Sequence, residues 1–190
     1  MSLAAKFRKS LEEKSLIRFR TNHPDGDHVT GIVTANQRDF VVVREAYELS
    51  FDGILVLPKR TLTGYRDSKF ERCANRIVRH AGEIRKARSP VWLNRCETLV
   101  DVLNEFQQRD VWPGVEIVWD GEEERESAFY VGPVVYVEED LFGIHCYDGV
   151  GAWEDVYEIE FDDLFKITIE DSYTKHFNGY MREEGPERPL

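Results

Sequence analysis

Two stretches of this 190-residue chain carry the same arrangement, Gly31–Ala46 (GIVTANQRDFVVVREA) and Gly132–Tyr147 (GPVVYVEEDLFGIHCY). Each opens on Gly, runs through apolar and β-branched residues, breaks at a polar bend, and resumes apolar. The bends are Asn36-Gln37-Arg38-Asp39 and Glu138-Glu139-Asp140. In a strand, a one-residue slip turns every side chain to the other face. A pattern kept over two strands and a bend therefore predicts one small β module written twice.

The match extends downstream. Gly31–Ala46 lies on Gly132–Tyr147 with a shift of 101 (132 − 31), and Gly53–Val78 lies on Tyr157–Arg182 with a shift of 104 (157 − 53). The three added residues fall in the loop holding Gly149, Gly151 and Trp153, and loops absorb insertions readily. In this register Leu55 falls on Ile159, Leu57 on Phe161, Tyr65 on Ile169, Cys73 on Phe177 and Ile77 on Met181. Upstream, Ile17 and Phe19 match Ile117 and Trp119.

Apolar spacing predicts helices over 4–14, 69–80 and 98–108, with Leu3, Phe7 and Leu11 marking the inner face of the first. Asp67-Ser68 and Asp171-Ser172 read as helix starts. Phe70, Cys73, Ala74, Ile77 and Val78 give the second helix one apolar stripe. Short strands fill the rest, near 16–20, 29–36, 39–46, 54–57 and 61–66, then 115–119, 128–137, 140–147, 156–161 and 164–169. Residues 47–53 and 148–155 read as loops, and the charged stretch 81–89 as a linker. Two domains follow, 1–88 and 89–190.

At 42% hydrophobic the chain can bury a core, and it contains no apolar run long enough for a membrane helix. The N-terminal MSLAAKFRKSLEEK lacks the apolar region of an export signal. Cys73, Cys96 and Cys146 are widely separated, with no CxxC pair, and read as reduced thiols of a cytoplasmic protein. The net charge of −11 divides unevenly. Residues 1–90 hold 18 Lys and Arg against 11 Asp and Glu, a balance of +7; residues 91–190 hold 7 against 25, a balance of −18.

A strand, a loop, two strands joined at a bend, another strand, a tight turn and a last short strand form the order of a small bent SH3-like barrel. With Gly heading the second strand, the layout resembles the Sm-like version. The resemblance implies a mainly β fold with short flanking helices, as two tandem five-stranded barrels. Sm-family proteins read uridine-rich RNA with an Asp and Asn in one motif and a basic residue before Gly in another. Here Asp39 has no following Asn and Thr63 precedes Gly64, so those RNA-reading residues do not carry over. The layout also resembles uncharacterised bacterial proteins that share the Asp52-Gly53 strand start and the Asp67-Ser68 cap.

No segment carries a specific catalytic motif. His23, Asp25, Asp27 and His28 cluster in sequence, but Pro24 and Gly26 make the stretch a turn and its spacing fits no cation loop. Glu122–Glu124, Glu138–Asp140 and Asp162-Asp163 read as an acidic rim. His145 and Cys146 are strand neighbours that point to opposite faces, read as a surface His beside a core Cys. His80 and His176 fall on exposed helix positions. Asp148-Gly149-Val150-Gly151 is followed by no Lys-Ser/Thr helix and is not a phosphate loop.

Arg18, Arg20, Lys59, Arg60 and Arg66 stand among aromatics in the basic half. With Trp153, which reads as a barrel plug or a partner anchor, they form the candidate ligand-contact set. Neither catalytic nor metal-binding residues are assigned, and no cofactor. The expected role is a non-catalytic interaction or scaffold protein, with a protein partner or self-association. The alternatives are RNA or DNA binding by the basic first barrel and an enzyme with a site between the barrels.

Overall fold

A computed structural model describes every residue except Met1, Asp27, Glu122, Glu123 and Leu190. The chain packs as two compact units, Met1–Thr98 and Leu99–Leu190. Both are mainly β, with antiparallel sheets and no closed barrel among the described residues.

The first unit opens on α1 (Leu3–Glu13), followed by β1 (Ile17–Thr21), β2 (His28–Asn36), β3 (Phe40–Tyr47), β4 (Ser50–Pro58), a 3₁₀ turn (Lys59–Thr61), β5 (Leu62–Arg66) and α2 (Lys69–His80). Its strands lie in the order β5-β1-β2-β3-β4. The inner face is fully apolar: Ile17, Phe19, Val29, Val33, Val41, Val43, Leu55 and Leu57 form one cluster, closed by Phe7 of α1. Phe7 and Phe19 pack with ring centroids 5.7 Å apart. The buried Ser10 hydroxyl donates to the Ser15 carbonyl at 2.6 Å and accepts from Val33 N–H at 3.1 Å, tying α1 to β2.

Three expectations change in this unit. Residues 47–53 are not a loop, because Tyr47 pairs with Ser50 and β4 starts at once. The two-residue turn is Glu48-Leu49, with φ of 44° and 72°. Primed hairpin turns need positive φ at both centres and favour Asn-Gly; Glu-Leu carries no such signal. Residues 81–89 are not a free linker either, since Ala87 is buried with Leu16, Ile32 and Val78. Finally, the apolar stripe of α2 is largely outward: Phe70 is 66% and Ile77 44% exposed, and Cys73 is exposed. Only Val78 and the paired carboxylate Glu71 are buried on that helix.

The second unit runs α3 (Leu99–Arg109), β6 (Gly114–Asp120), β7 (Arg125–Val131), β8 (Val134–Val137), β9 (Leu141–Tyr147), β10 (Trp153–Glu160), β11 (Leu164–Ile169) and α4 (Ser172–Glu183). Its strands order as β11-β6-β7 and β10-β9-β8, with Gly132-Pro133 separating β7 from β8.

Local details recur between the units. The ladder irregularity between Val33 and Ala35 in β2 has a counterpart between Val134 and Tyr136 at β8. Gln37 N–H donates to Phe40 O, and Glu138 N–H to Leu141 O. A Cβ added at Gly31 would lie 2.4 Å from the Arg44 carbonyl oxygen, and one at Gly132 2.1 Å from that of His145. Lys14 and Asp110, ending α1 and α3, both have positive φ. The α2 side chain Asn75 bonds both backbone groups of Leu16, and the α4 side chain Asn178 donates to Trp112 O. The Arg79 guanidinium reaches Lys14 O, and that of Arg182 reaches Asp110 O.

These details correct the expected register in three strands and one helix. Ile17 is fully buried opposite Gly31, whereas Ile117 is half-buried and pairs with Ala128 and Leu164. By ladder position Phe19, between Val29 and Tyr65, corresponds to Val115, between Tyr130 and Ile167. In the fourth strand Leu57 pairs with Val41 as Ile159 pairs with Phe142. Ile159 therefore answers Leu57, and Tyr65 answers Ile167, each two residues from the expected partner; the caps Ser68 and Asp171 and the Asn75 and Asn178 contacts set Ala74, not Cys73, against Phe177 and Val78, not Ile77, against Met181. Strand parity survives a two-residue error, which is why the apolar pattern did not expose it.

Candidate functional site

Side chains on alternate positions of one strand face align with those of its neighbours. In the first unit this places Arg66, Arg18, Thr30 and Ala46 in a row across β5, β1, β2 and β3, since Arg18 pairs with both Arg66 and Thr30. This row floors a groove of about 250 Å³. Leu16 and Ala74 close its base, while Leu49 from the hairpin turn and Phe70 from α2 form its rim.

The two arginines differ. Arg66 is held by Glu71, with Nε to Oε1 at 2.8 Å and Nη2 to Oε1 at 2.6 Å. Glu71 also closes the capping box of α2, accepting from Ser68 N–H at 2.7 Å. Burial pushes its carboxyl up, but hydrogen bonds from Arg66 and Ser68 outweigh that and bring it down to about 2. It stays ionised and neutralises Arg66. Arg18 makes no hydrogen bond or ion pair among the described residues, and its Nε is buried without a partner. Two like charges directly opposite in a ladder are unfavourable, and only one of them is balanced from within. The exposed Glu48 also lines the groove, at its rim.

The other sequence candidates lie elsewhere. Arg20 is exposed and pairs with His28 and Gly64. Lys59 donates to the carbonyls of Gln37 and Arg38, holding the β2–β3 bend, and burial lowers its pKa despite Asp39. Arg60 is exposed beside it. Trp153 belongs to the second unit and is half-buried. It packs at 5.7 Å on Trp112 and on Tyr147, and its indole N–H donates to Pro186 O at 2.9 Å. Of the six candidates, Arg18 and Arg66 share the groove. Phe70, one of the aromatics among the basic residues, lines it too, whereas Leu16, Thr30, Ala46, Glu48, Leu49, Glu71 and Ala74 escaped sequence reasoning, because only the fold brings them together.

The remaining sequence clusters give no second site. His23 is buried and its Nδ1 accepts from Asp25 N–H at 3.2 Å, as in a turn; Asp27 lies outside the described residues. Glu122 and Glu123 of the acidic rim also lie outside them. Among the described residues no three His, Cys, Asp or Glu side chains gather as metal ligands. His145 is buried rather than on the surface, 4.9 Å from the Trp153 ring, and its Nδ1 accepts from Arg188 Nε at 3.1 Å. Burial, then Arg188, lowers its pKa. Cys146 is also buried, and burial pushes its thiol up to about 12. A thiol held there is a poor nucleophile. No described helix is long and apolar enough to cross a membrane. No family model matches this chain, and no curated protein or solved structure matches it.

Proposed function

We propose that this protein is a non-catalytic interaction or scaffold protein built from two tandem SH3-like modules, Sm-like in layout, and that its first module presents the partner-binding face. The tandem reading draws support from matching strand orders, matching ladder irregularities, and the Gly31/Gly132, Asn75/Asn178 and Arg79/Arg182 contacts. Folds of this size host many roles, so the role rests on the surface. One observation carries it. The exposed apolar side chains Tyr47, Leu49, Phe70 and Ile77 lie on the β3–β4 hairpin and on α2, of which Leu49 and Phe70 line the Arg18 groove. Exposed apolar groups grouped around a groove mark interaction sites.

A photo-crosslinking side chain at position 70, compared with one at the 85% exposed Val150 in the second unit, tests this in cells. Discrete protein adducts from position 70 alone are expected. Equal labelling from both positions, or none, overturns the reading.

A second reading, nucleic-acid binding, is favoured by the exposed Arg20 and by Arg18, without a partner among the described residues, on one strand. It requires a gel shift of RNA or DNA that weakens steeply with salt and vanishes in R18E/R20E. Absence of a shift at low salt eliminates it.

A further inference from the structure

The second unit contains the same ladder position as the Arg18 groove, and there it is filled. Gly114 sits between Thr168 of β11 and Val131 of β7, as Arg18 sits between Arg66 of β5 and Thr30 of β2. The Phe129 ring lies over Gly114, so close that an added Cβ would meet its Cζ at 2.5 Å. Tyr173 stacks on Phe129 at 6.2 Å and on Phe177 at 5.7 Å, and Tyr147 meets Phe177 at 4.8 Å. By the helix and strand correspondences, Phe70 answers Tyr173, Ala74 answers Phe177 and Ala46 answers Tyr147. The first unit thus replaces two rings by methyl groups and a glycine by an arginine. What remains is a groove with Leu16, Ala46, Leu49, Phe70 and Ala74 as its apolar lining and Arg18 in its floor.

We propose, building on the interaction reading above, that this groove binds the C-terminal residue of a partner protein, its free carboxylate on Arg18 and its apolar side chain where the second unit keeps its own rings. Charge complementarity selects the carboxylate: Arg66 is satisfied by Glu71, and Arg18 has no partner among the described residues. An ionised partner there makes a charge-assisted bond, stronger than a neutral one. At about 250 Å³ the space falls below the roughly 300–1,000 Å³ usual for small-molecule sites, and suits one residue. A chain end places acid and side chain on a single Cα, so both fit one small groove; an internal acidic residue does not. Glu48 at the rim repels a second acidic group and so disfavours polyanions. The rim is also strained, since Leu49 holds φ 72°, a region costly for a branched side chain. Leucine stands where glycine would relax the turn, in line with a role for its side chain on the ligand.

The test is NMR titration of the full chain with an N-acetylated tripeptide ending in Phe, as free acid and as C-terminal amide, and with a single-stranded oligonucleotide. The free acid is expected to shift the amides of Thr30, Leu49 and Phe70, with affinity about tenfold above that of the amide. R18Q, which keeps the stem and a polar head, loses that preference. L49G relieves the positive φ at that position; it melts at or above the parent temperature yet binds the free acid more weakly. Equal binding of acid and amide, an R18Q variant that keeps the preference, or displacement of the peptide by the oligonucleotide overturns the proposal. If peptide binding ignores the carboxylate while position 70 still crosslinks a protein, the C-terminal residue is wrong and the interaction reading stands. If that crosslink is lost as well, both fall.

Discussion

Glu71 shows how one buried carboxylate serves two partners, Ser68 and Arg66. It caps α2, neutralises Arg66 and so leaves Arg18 as the cation of the groove. Its carboxyl sits near 2, below the ordinary 4.5. A depressed carboxylate contributes stability that is complete above its unfolded value and is lost as pH falls through the folded one. The window therefore runs from about 4.5 down to about 2, and the contribution is on the order of 2 kcal/mol once the half-exposed Arg66 is discounted for screening. E71Q is expected to flatten the fall in melting temperature across that window; an unchanged acid limb would refute the role. At Gly31 a methyl group has no room, with Arg44 O and Val43 Cγ1 each 2.4 Å away. G31A should lower unfolding free energy by about 1–3 kcal/mol in denaturant titrations, and G132A should do the same in the second unit.

At the scale of elements, α2 is held to the sheet by one amide more than by its apolar stripe. Asn75 accepts from Leu16 N–H at 2.8 Å and donates to Glu71 O at 3.0 Å and Leu16 O at 3.4 Å. N75A should cost about 1–3 kcal/mol, read as a thermal shift, and N178A should weaken the Trp112 anchor of α4 similarly. The helix itself was legible from its cap and its spacing, because Ser68 and Glu71 act within one turn. Its orientation was not. The stripe of Phe70, Cys73 and Ile77 looks like a buried face, yet Asn75 and Glu71 turn it outward. The β3–β4 hairpin was illegible for a related reason: Glu48-Leu49 adopts the turn against local preference, held by the Tyr47–Ser50 pairing and the ladder beyond it.

Across the whole molecule the charge is lopsided, with a net −11 drawn from an acidic second half. Self-repulsion of this kind destabilises the compact state and is screened within about 10 Å at 0.1 M salt. Melting temperature is expected to rise between low salt and about 0.5 M NaCl; a flat profile would mean the carboxylates are locally compensated. The alternation of apolar and polar residues was enough to establish a mainly β chain with four helices, because periodicity is a local property of the chain. It left the registers of the first, fourth and fifth strands open by even numbers of residues, since burial parity is blind to such slips, and that of the second helix open by one. The groove lay further out of reach. Arg18, Thr30, Ala46 and Arg66 are scattered along the chain, and nothing nearby marks them as one row. Hydrogen-bonded ladders alone decide which residues face each other across strands, and so only the tertiary structure could set Arg18 in the floor of a groove with no partner among the described residues.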